Sequence, residues 1–227
     1  TNKKKQGRKN VVITLGATRS PIDDVRHVQN TSSGSTGWAL ASHLHKHGHD
    51  VTCVAGITTV VAPSWLPLVL LCPTPESMLA ECKALTNDPI DAWIHAAAVL
   101  DYVVENAAEG KLASQQGTLN LPLVESSKHI MELKEACTSA VRIGFKLESG
   151  IKQRDLIHRA YAQIQKADMT AVVANRLEDL GNPASFRAMV QALSQTNTSE
   201  NLSCLLLSNG GGFPPNHQRH HHPPTLP

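Results

Sequence analysis

Residues 11–56 alternate in a way that few architectures accommodate. VVITLGAT (11–18) is a β-branched run ending at glycine, the pattern of a buried strand. STGWALASHLHKHGH (35–49) has apolar or small residues at 38, 41, 44 and 48 behind a Ser/Thr start. That spacing predicts a capped helix closed by Gly48. DVTCVAG (50–56) is the next strand. Strand, helix and strand at this length form the unit that a parallel sheet with right-handed crossovers requires.

The alternation continues. LPLVLLC (66–72) reads as a strand, and TPESMLAECKAL (74–85) as a helix with Thr74 as N-cap and Glu76 in the first turn. DAWIHAAAVLDY (91–102) is a strand running into a loop. TLNLPLVES (118–126) and VRIGFKLES (141–149) read as strands, with SKHIMELKEAC as a helix between them. IKQRDLIHRAYAQIQKAD (151–168) is a long amphipathic helix, MTAVVANRL (169–177) a strand, and NLSCLLLS (201–208) a last strand. The expected fold is α/β: a doubly wound, Rossmann-like, mostly parallel sheet with helices on both faces. Residues 1–10 are expected to form a basic arm, 11–208 a single nucleotide-binding domain, and 209–227 a flexible His/Pro-rich tail. The tail's histidines have no carboxylate or Cys partner, so metal capture there is expected to be adventitious.

Composition narrows the function classes. Of 227 residues, 41% are hydrophobic and 18% charged, and the net charge of +2 argues against nucleic acid or an anionic membrane as partner. The apolar stretch WLPLVLLCP is too short to span a bilayer. Five cysteines, an odd number with no CxxC pair, suit a reducing, cytoplasmic setting better than a disulfide scaffold.

Two stretches carry candidate chemistry. VRHVQNTSSGSTG (25–37) places Ser32, Ser33, Ser35 and Thr36 hydroxyls and the Gly34 and Gly37 amides at a helix N-terminus, which makes an anion site. An ordinary cap needs one hydroxyl, not four. Arg26 and Asn30, four apart, could face the same pocket, and an Arg fork suits a carboxylate or phosphate. Gly16 either makes a tight turn or lets a ligand approach the strand end; the motif here is not GxGxxG. Ala96, Ala97 and Ala98 either leave room for a flat ligand or let a helix pack closely. Asp101 follows as a candidate hydrogen-bonding or Mg²⁺-linked carboxylate. His95, inside an apolar strand, reads as a core or pocket-wall residue rather than a catalytic base.

Taken in order, TLGATRSPID, VRHVQNTSSGSTGWALA, IHAAAVLDY, the Lys of KLAS, GFKLESG and VVANRL resemble the phosphopantothenoylcysteine synthetases of coenzyme A biosynthesis. The matching elements span residues 11 to about 177. No flavin-binding domain precedes them, so the resemblance leans to the monofunctional bacterial form. It implies activation of the 4′-phosphopantothenate carboxylate by CTP (or ATP) with Mg²⁺. An acyl-nucleotide and pyrophosphate form, and the L-cysteine amine then displaces the nucleotide. It also implies a homodimer whose sites borrow residues from the other subunit.

Carried onto this sequence, the resemblance implies that Asn30 binds and turns over the acyl-nucleotide, with Arg26 beside it. Ser32, Ser33 and Gly34 match the nucleotide loop and Gly16 the strand end before it. Ala96–Ala98 match the base-contacting strand end, and Asp101 a nucleotide-binding Asp. Lys111 matches the Lys that binds and activates the triphosphate, Phe145 the aromatic beside the base, and Lys166 a phosphate-binding Lys of the long helix. The sequence departs from the family pattern at three places. ESSKH (125–129) replaces an NPD-like turn, Arg176 stands in VVANRL where VANDL is usual, and Lys166 is shifted by about a residue against VVAN. After that strand, NPASFRAMVQALSQ is shorter than the family hairpin.

Two other readings compete. An NAD(P)-dependent reductase could use the same sheet, but GxGxxG is missing and no acidic residue ends DVTCVAG to hold a ribose. A catalytically impaired nucleotide-binding member would bind nucleotide tightly without turnover.

Overall fold

The computed structural model describes residues 7–114, 117–179 and 205–206. Its centre is β1 (Asn10–Leu15), buried from Val11 to Leu15. β4 (Asp50–Ala55) and β5 (Leu68–Leu71) add outward on one side. β6 (Ala92–His95) returns to the other side of β1, followed outward by β9 (Val141–Glu148), β10 (Ala171–Arg176) and the two-residue β11 (Leu205–Leu206). The strand order is β11-β10-β9-β6-β1-β4-β5, and every pairing in it is parallel. This is the doubly wound order expected from sequence. The order in which strands are added reverses between β1 and β6, and the crevice at the carboxyl ends of those strands is where open α/β sheets bind ligands.

Helices cover both faces. α1 (Ser35–Lys46) lays Trp38, Leu40 and Ala41 on Ile13, Leu15, Ile94 and Ile143. Gly37 makes this possible, because a Cβ there would stand 2.3 Å from Leu15 Cβ. On the opposite face, α2 (Pro75–Leu85) packs Met78 and Cys82 against Val12, Val54 and Trp93. α4 (Gln153–Ala167) packs Leu156, Ala160 and Ile164 on Val172 and Ala174. α2 opens with the expected Thr74 cap: the Ser77 N–H donates to Thr74 Oγ1 while Ser77 Oγ accepts from the Thr74 N–H. Pro at the first helical position needs no N–H partner. Cys53, Cys72, Cys82 and Cys137 are free and buried, and burial pushes the thiols of Cys53 and Cys82 up to about 12, which makes them inert packing groups. Among the described residues, no helix is long and apolar enough to cross a membrane.

Three local expectations need correction. α1 starts from Gly34 in the left-handed conformation (φ 78°) with no side-chain cap, because its serines turn to each other and to the loop. TLNLPLVES contributes only β8 (Leu123–Glu125), an exposed strand paired antiparallel with β7 (Tyr102–Val104) outside the main sheet. Its Leu123 and Val124 stay exposed, so the strand lacks the buried face that a strand of the main sheet has. SKHIMELKEAC is broken into α3 (His129–Glu132) and a 3₁₀ turn at Glu135–Cys137. A second hairpin, β2 (Arg19–Pro21) with β3 (His27–Gln29), lies in what reads as loop. The Val104 N–H donates to Ser20 Oγ at 2.9 Å and so ties the two hairpins together. NPASFRAMVQALSQ, Cys204 and the tail lie outside the described residues.

Candidate functional site

The carboxyl ends of β1 and β6 are fused beyond their last residues. The Ala96 N–H donates to the Thr14 carbonyl, the Ala98 N–H to Gly16, and the Thr18 N–H to Ala98. The Ala17 N–H donates to Ile57, closing the β4 side. Gly16 (φ 77°) is required here, since a Cβ would stand 2.8 Å from the Ile57 carbonyl oxygen. Gly56 is equally confined, because its Cβ would meet the Ala17 carbonyl oxygen at 2.2 Å. The end of β4 therefore seats backbone on backbone and carries no carboxylate for a ribose.

Over these ends opens a cleft of about 940 Å³. One wall is Thr31 to Gly37. The Ser33 carbonyl accepts from the N–H groups of Thr59 and Val60, so the loop is pinned to the β4–β5 connection. The N-cap Gly34 has no side chain to cap α1, and apart from the Ser35 N–H, which donates to Ser33 Oγ at 3.3 Å, the first turn leaves N–H groups and dipole at the cleft as an anion site. The floor is Ala96, Ala97 and Ala98, and Phe145 stands beside it. Asp101 lies at the mouth, its Oδ1 3.0 Å from Lys128 Nζ, with both side chains largely exposed. Lys146 also lines the cleft and pairs with Glu148 at 3.0 Å.

Of the residues expected from sequence, Ser32, Ser33, Gly34, Ala96, Ala97, Ala98, Asp101 and Phe145 line this one cleft. Gly16 supports it from behind. Asn30 stands at its edge, next to Thr31, and its Nδ2 donates to the carbonyls of Ala98 (3.2 Å) and Val99 (3.0 Å). Lys166 is exposed and outside the lining, because Leu156, Ala160, Ile164 and Ala167 fix the buried face of α4 and position 166 falls off it.

Arg26 is not aimed into the cleft either. Its Nε donates to Asp23 Oδ2 at 2.8 Å and its Nη2 to the Leu112 carbonyl at 2.7 Å. Asp23, fully enclosed, also accepts from the N–H groups of Val25, Arg26 and Leu112. Burial pushes Asp23 up, but Arg26 and these N–H groups outweigh it and hold the carboxyl well below the usual carboxylate range. The Asp24 N–H donates to Gly110 and the Ala108 N–H to Ile22. Exposed Lys111 thus sits outside the cleft lining, on a loop stitched down on both sides. Asp23→Asn is expected to speed amide exchange at Ala108 and Leu112 about tenfold while β1 and β6 stay protected. Unchanged exchange would show that the loop is held by other contacts.

Lys146 and Asn175 line the cleft from GFKLESG and VVANRL, two of the elements that carry the resemblance, while Lys128, His129, Gln163 and Asp179 line it without a role assigned from sequence. Lys128 and His129 belong to ESSKH, the turn that departs from the family pattern, and that departure was their only signal. Arg176 forks onto Asp179 (2.8 and 3.1 Å), so the unusual Arg of VVANRL orients a carboxylate in the cleft wall. His95 is a wall residue as read, but its Nε2 has no partner among the described residues.

The sequence profile of the DNA/pantothenate metabolism flavoprotein C-terminal domain matches residues 6–204. The coenzyme A biosynthesis bifunctional protein CoaBC of Thermococcus kodakarensis is 37% identical over 175 residues, covering 77% of this chain and 43% of that protein. The chain therefore spans less than half the length of this curated relative. The solved DNA/pantothenate metabolism flavoprotein of Streptococcus pneumoniae superposes with a TM-score of 0.69 at 23% identity, over 75% of this chain and 83% of that one. A Cab2 mutant in complex with phosphopantothenate-cysteine superposes with a TM-score of 0.58 at 20% identity, over 76% of this chain and 74% of that one. At these identities the two structures establish a shared fold.

Proposed function

The chain belongs to the family of the DNA/pantothenate metabolism flavoprotein C-terminal domain, and from that premise we propose that it is a phosphopantothenoylcysteine synthetase. The observation that carries the reading is the cleft itself. It joins an uncapped helix N-terminus, a floor of three alanines, an aromatic ring and two lysines at the switch point of the sheet. A relative of the same fold holds phosphopantothenate-cysteine, the product of such a reaction.

In this reading the carboxylate of 4′-phosphopantothenate attacks the α-phosphorus of CTP. An O–P bond forms, the bond to the β-phosphate oxygen breaks, and pyrophosphate leaves. The amine of L-cysteine then attacks the acyl carbon. The new C–N bond forms, the C–O bond to CMP breaks, and the ammonium proton goes to solvent. Both steps build negative charge, and fixed donors stabilise it. The loop Ser32–Gly37 would take phosphate oxygens on its N–H groups, and Lys128 and Lys146 would stand within the cleft as counter-charges.

Magnesium would enter with the nucleotide. Among the described residues no three His, Cys, Asp or Glu side chains form a metal cage. The lining carboxylates are Asp101 at the mouth and Asp179 on Arg176. A Mg²⁺ held mainly by phosphate oxygens and water needs no more than one such group. When bound, it would offset the charge of the triphosphate.

We assign Lys111 to the activation step and Asn30 to the fate of the acyl-nucleotide. In support of a homodimer, Lys111 lies outside the cleft of its own chain on a fixed, exposed loop, as a residue serving a neighbouring copy would. We place the reaction in the cytoplasm, in keeping with four unpaired cysteines. Asn30→Asp tests the division of labour. It replaces the donor to Ala98 and Val99 by an oxygen that faces two carbonyls, and it is expected to slow amide formation more than pyrophosphate release. Equal slowing of both steps, or no slowing, would remove the role given to Asn30.

A further inference from the structure

His95 closes β6, and its ring lies on the α2/α3 face of the sheet, stacked on Trp93 with centroids 6.0 Å apart and planes 12° apart. His129 opens α3 on the same face. Both side chains line the cleft, yet the residues are only 7% and 6% exposed. Among the described residues, Nε2 of His95 and both ring nitrogens of His129 have no hydrogen-bond partner. Buried polar atoms in native proteins are nearly always paired. Three unpaired nitrogens on adjoining walls of one cleft point to a partner that arrives with a ligand.

The environment specifies what that ligand offers. Burial pushes both imidazoles down, aided at His95 by the Arg142 charge, which brings His95 to about 3. At His129 the Pro75 carbonyl and Glu76 pull the other way, but no nitrogen meets hydrogen-bond geometry with them. The Arg142 guanidinium itself is committed to the carbonyls of Ala167 and Ile130 at the ends of α4 and α3. At His95 the one unpaired nitrogen, Nε2, is donor or acceptor according to the tautomer, whereas His129, with both nitrogens unpaired, presents one N–H and one lone pair. A phosphate or carboxylate accepts only and would leave the lone pair of His129 unmatched. The edge of a nucleobase alternates donors and acceptors and matches both.

Position agrees. The anion site at the α1 N-terminus lies on one face of the sheet, and the imidazoles lie on the other, with Ala96–Ala98 between them. A nucleotide with its phosphates at α1 would cross the alanine floor beside Phe145 and reach the histidines with its base. We infer that His95 and His129 form a neutral hydrogen-bonding wall that reads the polar edge of the nucleobase. The inference rests on the nucleotide reading proposed above.

The test compares wild type with His95→Phe, His129→Phe and His129→Gln. CTP and ATP are each titrated by calorimetry, amide formation is followed at steady state, and thermal unfolding is recorded at pH 7. The Phe variants are expected to weaken binding of the preferred nucleotide about tenfold, as loss of one to two neutral hydrogen bonds implies. They are expected to bring the CTP/ATP affinity ratio toward unity and to leave the KM for 4′-phosphopantothenate unchanged. Their Tm is expected to equal or exceed that of wild type, because apolar rings replace unpaired polar ones. His129→Gln, which keeps a donor and an acceptor, is expected to recover part of the affinity, and it carries the same readout if Phe at 129 does not fold. Unchanged affinities and ratio, a shift confined to the KM for 4′-phosphopantothenate, or a lowered Tm with nucleotide binding intact would each overturn the inference. Amide formation by wild type with unaltered variants removes the inference alone. Altered nucleotide binding without any amide formation keeps it and removes the synthetase reading, and a wild type that binds neither nucleotide removes both.

Discussion

Lys111→Ala is expected to lower kcat for pyrophosphate release about 10²–10³-fold, the cost of removing one preorganised cationic or hydrogen-bonding group from a developing charge. The loop that carries Lys111 is fixed at Gly110 and Leu112 by bonds from Asp24, Asp23 and Arg26. Fixing the backbone on both sides lowers the entropy that a flexible lysine would lose on engaging phosphate. The side chain is exposed and enters no ion pair among the described residues, so its removal leaves the fold unaltered. Lys111→Arg keeps the charge and is expected to recover part of the rate. Pre-steady-state release of pyrophosphate separates this step from amide formation. An alanine variant with an unchanged release rate would make Lys111 an ordinary surface residue, and the resemblance would then have assigned it wrongly.

Stability is expected to fall steeply as pH drops from 6.5 to 3, and His95 is the largest identifiable source. Its ordinary value is near 6.5, and in the fold burial holds it at about 3. Below pH 6.5 the unfolded chain takes a proton that the folded chain refuses. The contribution of His95 is therefore complete above pH 6.5 and is lost progressively down to pH 3, at about 1.4 kcal/mol per pH unit and about 5 kcal/mol in all. His129 is shifted in the same direction and adds to the slope. Asp23 acts lower on the scale. Its depressed value means that its contribution is present above the unfolded carboxylate value and is lost as pH falls below it. Denaturant unfolding of wild type and His95→Phe between pH 4 and 7 checks this. The variant is expected to lose most of the slope. Parallel pH profiles would show that water reaches His95 and that its proton is exchanged freely in the fold.

What could be read from the sequence followed what is buried on both faces. VVITL, VTCVA, AWIH and AVVAN are continuous apolar runs because helices cover both sides of a parallel sheet, and each is a strand where expected. Thr74 as N-cap and Glu76 in the first turn announced α2 by local chemistry. The hairpins β2–β3 and β7–β8 carry no such pattern. They are held by contacts between distant segments, such as Ser20 with Val104 and Asp23 with Leu112, that no periodicity encodes. The same limit applies to the site. Ser32–Gly34 and Ala96–Ala98 stand at strand and helix ends, so topology alone brings them together. Arg26 could be paired with Asp23 only by knowing that the turn encloses the carboxylate. That Lys166 lies off the buried face is legible from helical spacing alone, because positions 156, 160, 164 and 167 define the buried stripe of α4. Only the departure of ESSKH from the family turn marks His129, whose place depends on where α3 docks.

A synthetase cleft joins 4′-phosphopantothenate to cysteine through an activated carboxylate. Incubation with CTP, 4′-phosphopantothenate and L-cysteine, with pyrophosphate and amide product measured together, tests that activity directly. Equimolar pyrophosphate and amide are expected, with sustained turnover only when cysteine is present and no pyrophosphate without 4′-phosphopantothenate. Pyrophosphate release from neither CTP nor ATP, or release that ignores 4′-phosphopantothenate, would contradict it.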